Sequence, residues 1–134
     1  MHGPDFERLF NAIPANYLVL DLDWNIVAIT DTALGERARA DVVGRSQFEV
    51  FPDNPDDPDA SGTASMLAAL SRVLEEKTGH VMPVTRYDIA DADGVFQVHY
   101  WRPVNQPVFD ENGAITHVIH GVEGVTGTVG ADGA

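Results

Sequence analysis

The chain has 134 residues, the size of one ordinary domain, and its 44% hydrophobic content suffices for a core without covalent staples. It contains no cysteine, which excludes disulfides, zinc–thiolate and iron–sulfur sites, thiol nucleophiles and cysteinyl-flavin photochemistry. Twenty-one acidic against eight basic residues give a formal net charge of −13; such a surface repels phosphates and anionic lipid, so neither nucleic acid nor membrane is an expected partner.

From Asp5 to Ile13, Phe6, Leu9, Phe10 and Ile13 recur at i, i+3, i+4 and i+7, the stripe of a short amphipathic helix ended by Pro14. Tyr17 to Leu22 and Ile26 to Thr30 read as two strands joined at Asp23-Trp24-Asn25. Asp31 is the expected cap of a short helix over Thr32 to Arg39, and Gly44 precedes another helical turn around Phe48 to Phe51. Pro52, Pro55 and Pro58 make the following acidic stretch a loop. Asp59 or Ser61 then caps the longest helix, about Gly62 to Lys77, whose expected buried face is Met66, Leu67, Leu70, Val73 and Leu74, with Gly79 placed to end it.

Three strand-like runs follow, Val81 to Ile89, Val95 to Val108 and Ala114 to Val122. Asp93-Gly94 and Asn112-Gly113 supply their turns. An antiparallel sheet with helices inserted in mid-chain is an α+β layout with helices on one face. The first helix is then the expected cover for the other face, from the same chain or from a partner subunit. The expected division is a cap helix over residues 1–14, one domain over 15–126 and a flexible tail over 127–134. No apolar run approaches the ~18 residues of a bilayer span, and no signal peptide is recognisable, so a cytoplasmic location is expected.

Phe6 to Pro14 followed by Tyr17 to Asp23 resembles the entry helix and first strand of bacterial PAS domains, and Val43-Gly-Arg45 with Phe48 and Phe51 resembles their segment before the long helix. Three stretches are more specific. Phe51-Pro-Asp-Asn-Pro-Asp-Asp-Pro58 is similar to the loop of a PAS subgroup in bacterial sensor kinases, Tyr100 to Val108 to its penultimate strand, and His120 to Thr126 to its terminal strand. Gly124 stands where the family usually has Asp, which weakens the expected tie to an output linker. The resemblance covers about Asp5 to Thr126. It implies a five-stranded antiparallel sheet in the order 2-1-5-4-3, with a cavity between sheet and long helix. It also implies a non-catalytic sensory and dimerisation module of a two-component or related signalling protein, with homodimerisation through Phe6, Leu9, Phe10 and Ile13 and output through an effector domain or partner protein. Members bind haem, flavins or small metabolites, or nothing.

Haem or flavin has no motif here: no histidine lies between Ser61 and Thr78, and His80 sits just past the helix. Of the other histidines, His2, His99, His117 and His120, the last two share a strand at spacing three and point to opposite faces. Asp57-Pro-Asp59-Ala-Ser61-Gly62 matches the start of a calcium loop, but Ala68 replaces the required twelfth-position Glu, so no metal site is assigned. Alternation in Val95 to Val108 puts Val95, Gln97, His99, Trp101, Pro103 and Asn105 on one face, unless Pro103 and Pro107 break it. The candidate ligand pocket is therefore Tyr87, Trp101 and Asn105, with Leu70 and Leu74 as the opposite wall. The alternative is an isomerase-like enzyme with Asp88 as base and Tyr17 or Tyr100 as oxyanion donor.

Overall fold

A computed structural model describes residues 5–91 and 93–124; His2 and the tail over 127–134 lie outside those residues. After helix α1 (Phe6–Asn11) come strands β1 (Asn16–Leu20) and β2 (Ile26–Ile29). Two short helices follow, α2 (Asp31–Leu34) and α3 (Gln47–Val50), separated by a 3-10 turn at Arg39–Asp41. The long helix α4 (Gly62–Glu76) leads to β3 (His80–Val81), β4 (Thr85–Arg86), β5 (Ile89–Ala90), β6 (Phe96–Gln97), β7 (Tyr100–Phe109) and β8 (Ile115–Gly124). The main sheet is antiparallel in the order β2-β1-β8-β7, with β3 and β4 in line along the outer edge of β7. That is the expected 2-1-5-4-3 order with its third strand cut in two, while β5 and β6 form a separate ribbon.

The cut has a cause on each side. Met82 N–H donates to the carbonyl of Pro103 (2.8 Å), but Pro103 has no N–H to return, and Pro83 cannot donate either. The prolines thus fall on the edge-facing side of β7 and leave its alternation intact: Pro103, Asn105 and Pro107 are buried while Arg102, Val104 and Gln106 are exposed.

Three hairpin turns share one device. Asp21, Asp91 and Asp110 each accept, through Oδ1, the amides two and four residues on: Asp23 and Asn25, Asp93 and Val95, Asn112 and Ala114. The residue three positions after each aspartate has positive φ, namely Trp24 (65°), Gly94 (81°) and Gly113 (82°). The Val95 amide is the main cause that holds the Asp91 carboxyl below its ordinary value.

The core lies between the inner sheet face and α4. Leu18, Leu20, Ile26, Ile29, Val118, Met66, Leu70 and Val73 are all buried there. Burial of Leu70 alone is worth about 1.5–3 kcal/mol. Met66, Leu70 and Val73 form the buried line of α4, and Leu74 flanks it. Leu67, expected inside, is 44% exposed, because one residue past Met66 turns it about 100° away.

Helix ends also differ from expectation. Thr30, not Asp31, caps α2, accepting from Ala33 N–H (3.3 Å) while donating to the Ala15 carbonyl (2.6 Å). Asp31 instead pairs with Arg39. Neither Asp59 nor Ser61 caps α4. Asp53 reaches over the proline loop to accept from Thr63 N–H (3.1 Å) and Thr63 Oγ1 (2.5 Å). Lys77, in the left-handed region (φ 54°), ends α4, whereas Gly79 serves close packing: a Cβ there would lie 3.1 Å from the Asn105 carbonyl.

Helix α1 is shorter than the expected Asp5 to Ile13, since Pro14 disfavours the helical region at Ile13. It packs against β2, with Phe10 and Asn11 half-buried and none of its residues fully buried.

Candidate functional site

A half-enclosed, mainly apolar cavity of about 120 Å³ opens between α4, the inner sheet face and the short helices. Met66 of α4 faces Trp101 and Pro103 of β7 across it. Leu18, His120 and Val122 floor it from the central strands, and Tyr87, Phe51, Gln47 and Arg37 close its other sides. Of the residues expected in the pocket, Tyr87 and Trp101 line it. Leu70 and Leu74 do not, because they lie further along α4 and pack into the core; Asn105 lies beneath, beyond Pro103.

Tyr87 and Trp101 lock each other. The Trp101 indole N–H donates to the Tyr87 carbonyl (2.9 Å), Tyr87 N–H donates to the His99 carbonyl (2.9 Å), and the Tyr87 hydroxyl donates to the Phe51 carbonyl. The His99 ring stacks on Trp101 at 5.2 Å. Burial, helped by the charge of Asp53, pushes the Tyr87 phenol well above its ordinary value, so it stays a donor. Gly62, the sixth residue of the calcium-like stretch, instead makes room for this ring: a Cβ there would lie 2.7 Å from Tyr87 Cδ2.

His120 is the polar centre of the floor. It is 6% exposed, and cross-strand register sets it opposite Asn105, whose Oδ1 lies 2.6 Å from His120 Nδ1. Desolvation lowers its pKa to about 4, so the ring is neutral at pH 7. With Asn105 Oδ1 as acceptor, the ring proton sits on Nδ1, and Nε2 is left as an acceptor with no partner among the described residues. A second acceptor is also orphaned. Gln47 is 3% exposed, and its Oε1 has no partner among the described residues.

The other candidates fall elsewhere. His80 lies beside Glu76 (3.6 Å) and outside the cavity. Asp88, the possible base, is 5% exposed and bound by Arg86 through two 2.9 Å bonds and by Asn54 at 3.0 Å. Arg86, chiefly, holds it down to about pKa 2, the opposite of a desolvated base. Asp57 accepts from Asp59 N–H (3.0 Å), and among the described residues no three His, Asp or Glu side chains form a metal-holding group. Ligand pockets for drug-sized molecules span about 300–1,000 Å³, so this cavity does not fit haem or flavin. An apolar cavity of about 150 Å³ holds benzene, which sets the scale of an occupant.

The family model for the PAS fold matches residues 10–129. The chain belongs to the PAS family. Solved structures agree on the PAS fold. The PAS domain of a protein from Colwellia psychrerythraea superposes with a TM-score of 0.66 at 13% identity, covering 90% of this chain and 93% of that one. A sensory box sensor histidine kinase from Vibrio cholerae gives 0.61 at 15% identity, with 90% of each chain covered. The Vibrio cholerae VqmA–ligand–DNA complex gives 0.66 at 21%; 92% of this chain is covered, but it spans only 52% of VqmA. No curated protein matches the sequence.

The VqmA complex corrects the exclusion of nucleic acid as a partner. Net charge describes the surface of this PAS domain, whereas a protein carrying a similar domain is solved bound to DNA. Among the described residues no helix is long and apolar enough to cross a membrane. His120, Gln47 and Arg37 went unnamed in the sequence reading of the pocket. The only signal for His120 was its inward parity with Val118, visible once the strand is placed.

Proposed function

We propose that this PAS domain is a non-catalytic sensory module of a bacterial signalling protein, which takes a small molecule between α4 and the sheet and passes its occupancy to an output module. The observation that carries the reading is His120: a buried, neutral imidazole whose Nε2 has no protein partner at the floor of an apolar cavity. A donor on the ligand would give that nitrogen a hydrogen bond, worth about 0.5–1.5 kcal/mol. A histidine kinase, as in the Vibrio cholerae sensor of the same fold, is one form of output.

Native mass spectrometry of the purified protein tests it. The expected result is a bound mass above the 14.5 kDa chain that is absent from Met66→Trp, whose indole would fill the cavity. A bare chain mass from wild type, unchanged by incubation with benzene-sized probes, would overturn it.

A second reading concerns assembly. Phe6 (74% exposed) and Leu9 (56%) on α1 and Ile13 just past it are exposed beside the half-buried Phe10, an apolar stripe that favours dimerisation through this segment. Sedimentation of Phe6→Glu with Leu9→Glu should then give a monomer at concentrations where wild type is a dimer; a monomeric wild type rejects it.

A further inference from the structure

The charges around the cavity are arranged unlike those of the rest of the surface. Acidic residues outnumber basic ones 21 to 8, yet among the described residues no Asp or Glu lines the cavity, and Arg37 is the one formally charged residue that does. Arg8, Arg39, Arg45, Arg72, Arg86 and Arg102 each make an ion pair with a carboxylate. Arg37 makes none among the described residues. It lies over the Phe51 ring at 4.8 Å and donates through Nη2 to the Ala90 carbonyl at 3.3 Å. The ring and the carbonyl fix the guanidinium in place and leave further N–H donors free. An arginine without a carboxylate, in a chain this rich in them, is held for something else.

Depth adds a second constraint. His120 is buried and its Nε2 makes no hydrogen bond among the described residues, whereas Arg37 is partly exposed. A carboxylate placed against His120 Nε2 would be repelled; placed on Arg37 it gains a charge-assisted, planar hydrogen-bond pairing. Glu36, Asp41, Glu49 and Asp91 line a neighbouring surface pocket with Arg37, but all four are exposed and none makes an ion pair with it, so solvent and salt weaken their hold. Asp53, whose charge Tyr87 feels, is already engaged by Thr63.

We propose that the cavity takes a compact organic anion of about one ring, with its carboxylate on Arg37 at the mouth and an O–H or N–H donor directed to His120 Nε2. This rests on the reading of the cavity as a ligand site and names the class of ligand.

Two matched probe pairs test it: benzoate against benzamide, and 4-hydroxybenzoate against 4-hydroxybenzamide, titrated by NMR at 0.15 M salt. Each acid should bind at least ~10-fold tighter than its amide, and the hydroxylated acid tighter than benzoate. Arg37→Gln should abolish the preference for acid while leaving amide affinity within about twofold, and Arg37→Lys should keep much of it. The Arg37→Gln spectrum, dispersed as in wild type, certifies that the fold persists. If the amides bind as well as the acids, the anion class fails while the ligand site stands. If none of the four probes binds, the proposal and the ligand-site reading fail together.

Discussion

His120 makes the stability of this domain depend on pH in a window of its own. Its pKa is about 4 in the folded chain, against an ordinary histidine value of 6.5, because burial disfavours the imidazolium. The unfolded chain therefore takes up the proton first as pH falls. The stabilisation is complete above pH 6.5 and is lost progressively down to pH 4. The full loss corresponds to about 3 kcal/mol at 1.36 kcal/mol per pKa unit, of which about 2 kcal/mol is gone by pH 5. For a domain this size, that lowers Tm by roughly 7 °C. The carboxylates held low, Asp88 and Asp91 among them, titrate out from ordinary values near 4 downward, so they act below the histidine window. The assay is urea unfolding at pH 7 and pH 5, for wild type and His120→Gln. Wild type should lose about 2 kcal/mol more than the variant with m unchanged. Equal losses in the two proteins, or a His120 ring titrating above pH 6 by NMR, would refute the burial argument.

Three further outcomes follow from the geometry. Gly62→Ala should destabilise by about 1 kcal/mol although alanine is the better helix former, since its Cβ overlaps the Tyr87 ring; in a Tyr87→Ala background the penalty should vanish in chemical denaturation. Asp53→Ala should cost about 1 kcal/mol, with Asp53→Asn retaining most of it and Ser61→Ala neutral, as read by thermal melts. Lys77→Gly should raise stability by about 0.5–1 kcal/mol by relieving a left-handed residue, and a loss instead would mean that the lysine stem packs usefully.

Much of the fold was legible in local chemistry. The Asp-Gly and Asn-Gly turns marked two hairpins, and apolar spacing marked α4. The aspartate that organises each turn was less visible, because it sits three residues before the glycine and works through amides. The first turn hid the same device by placing Trp24 where the others have glycine. The cap of α4 was illegible for a similar reason: Asp53 is ten residues from Thr63, and only the folded proline loop brings them together. In the site, alternation along Val95 to Val108 marked Trp101, and Tyr87 stood out as an aromatic of the preceding strand-like run; both line the cavity. The Asn105–His120 pair depends on the register between β7 and β8, which no local pattern encodes, and Arg37 is held at the cavity by Phe51 and the Ala90 carbonyl, both distant in sequence.

The central claim, that a small molecule enters between α4 and the sheet, is tested most directly at two methyl groups. Met66 from α4 and Met82 from the edge beside β3 both line the cavity, as does Trp101. In a spectrum labelled at methionine methyls and indole nitrogen, titration with benzene-sized probes should shift Met66, Met82 and the Trp101 Nε1–H together, with one saturating affinity, in wild type and not in Met66→Trp. Shifts that never saturate, or that appear on surface residues while these three stay still, would contradict the account.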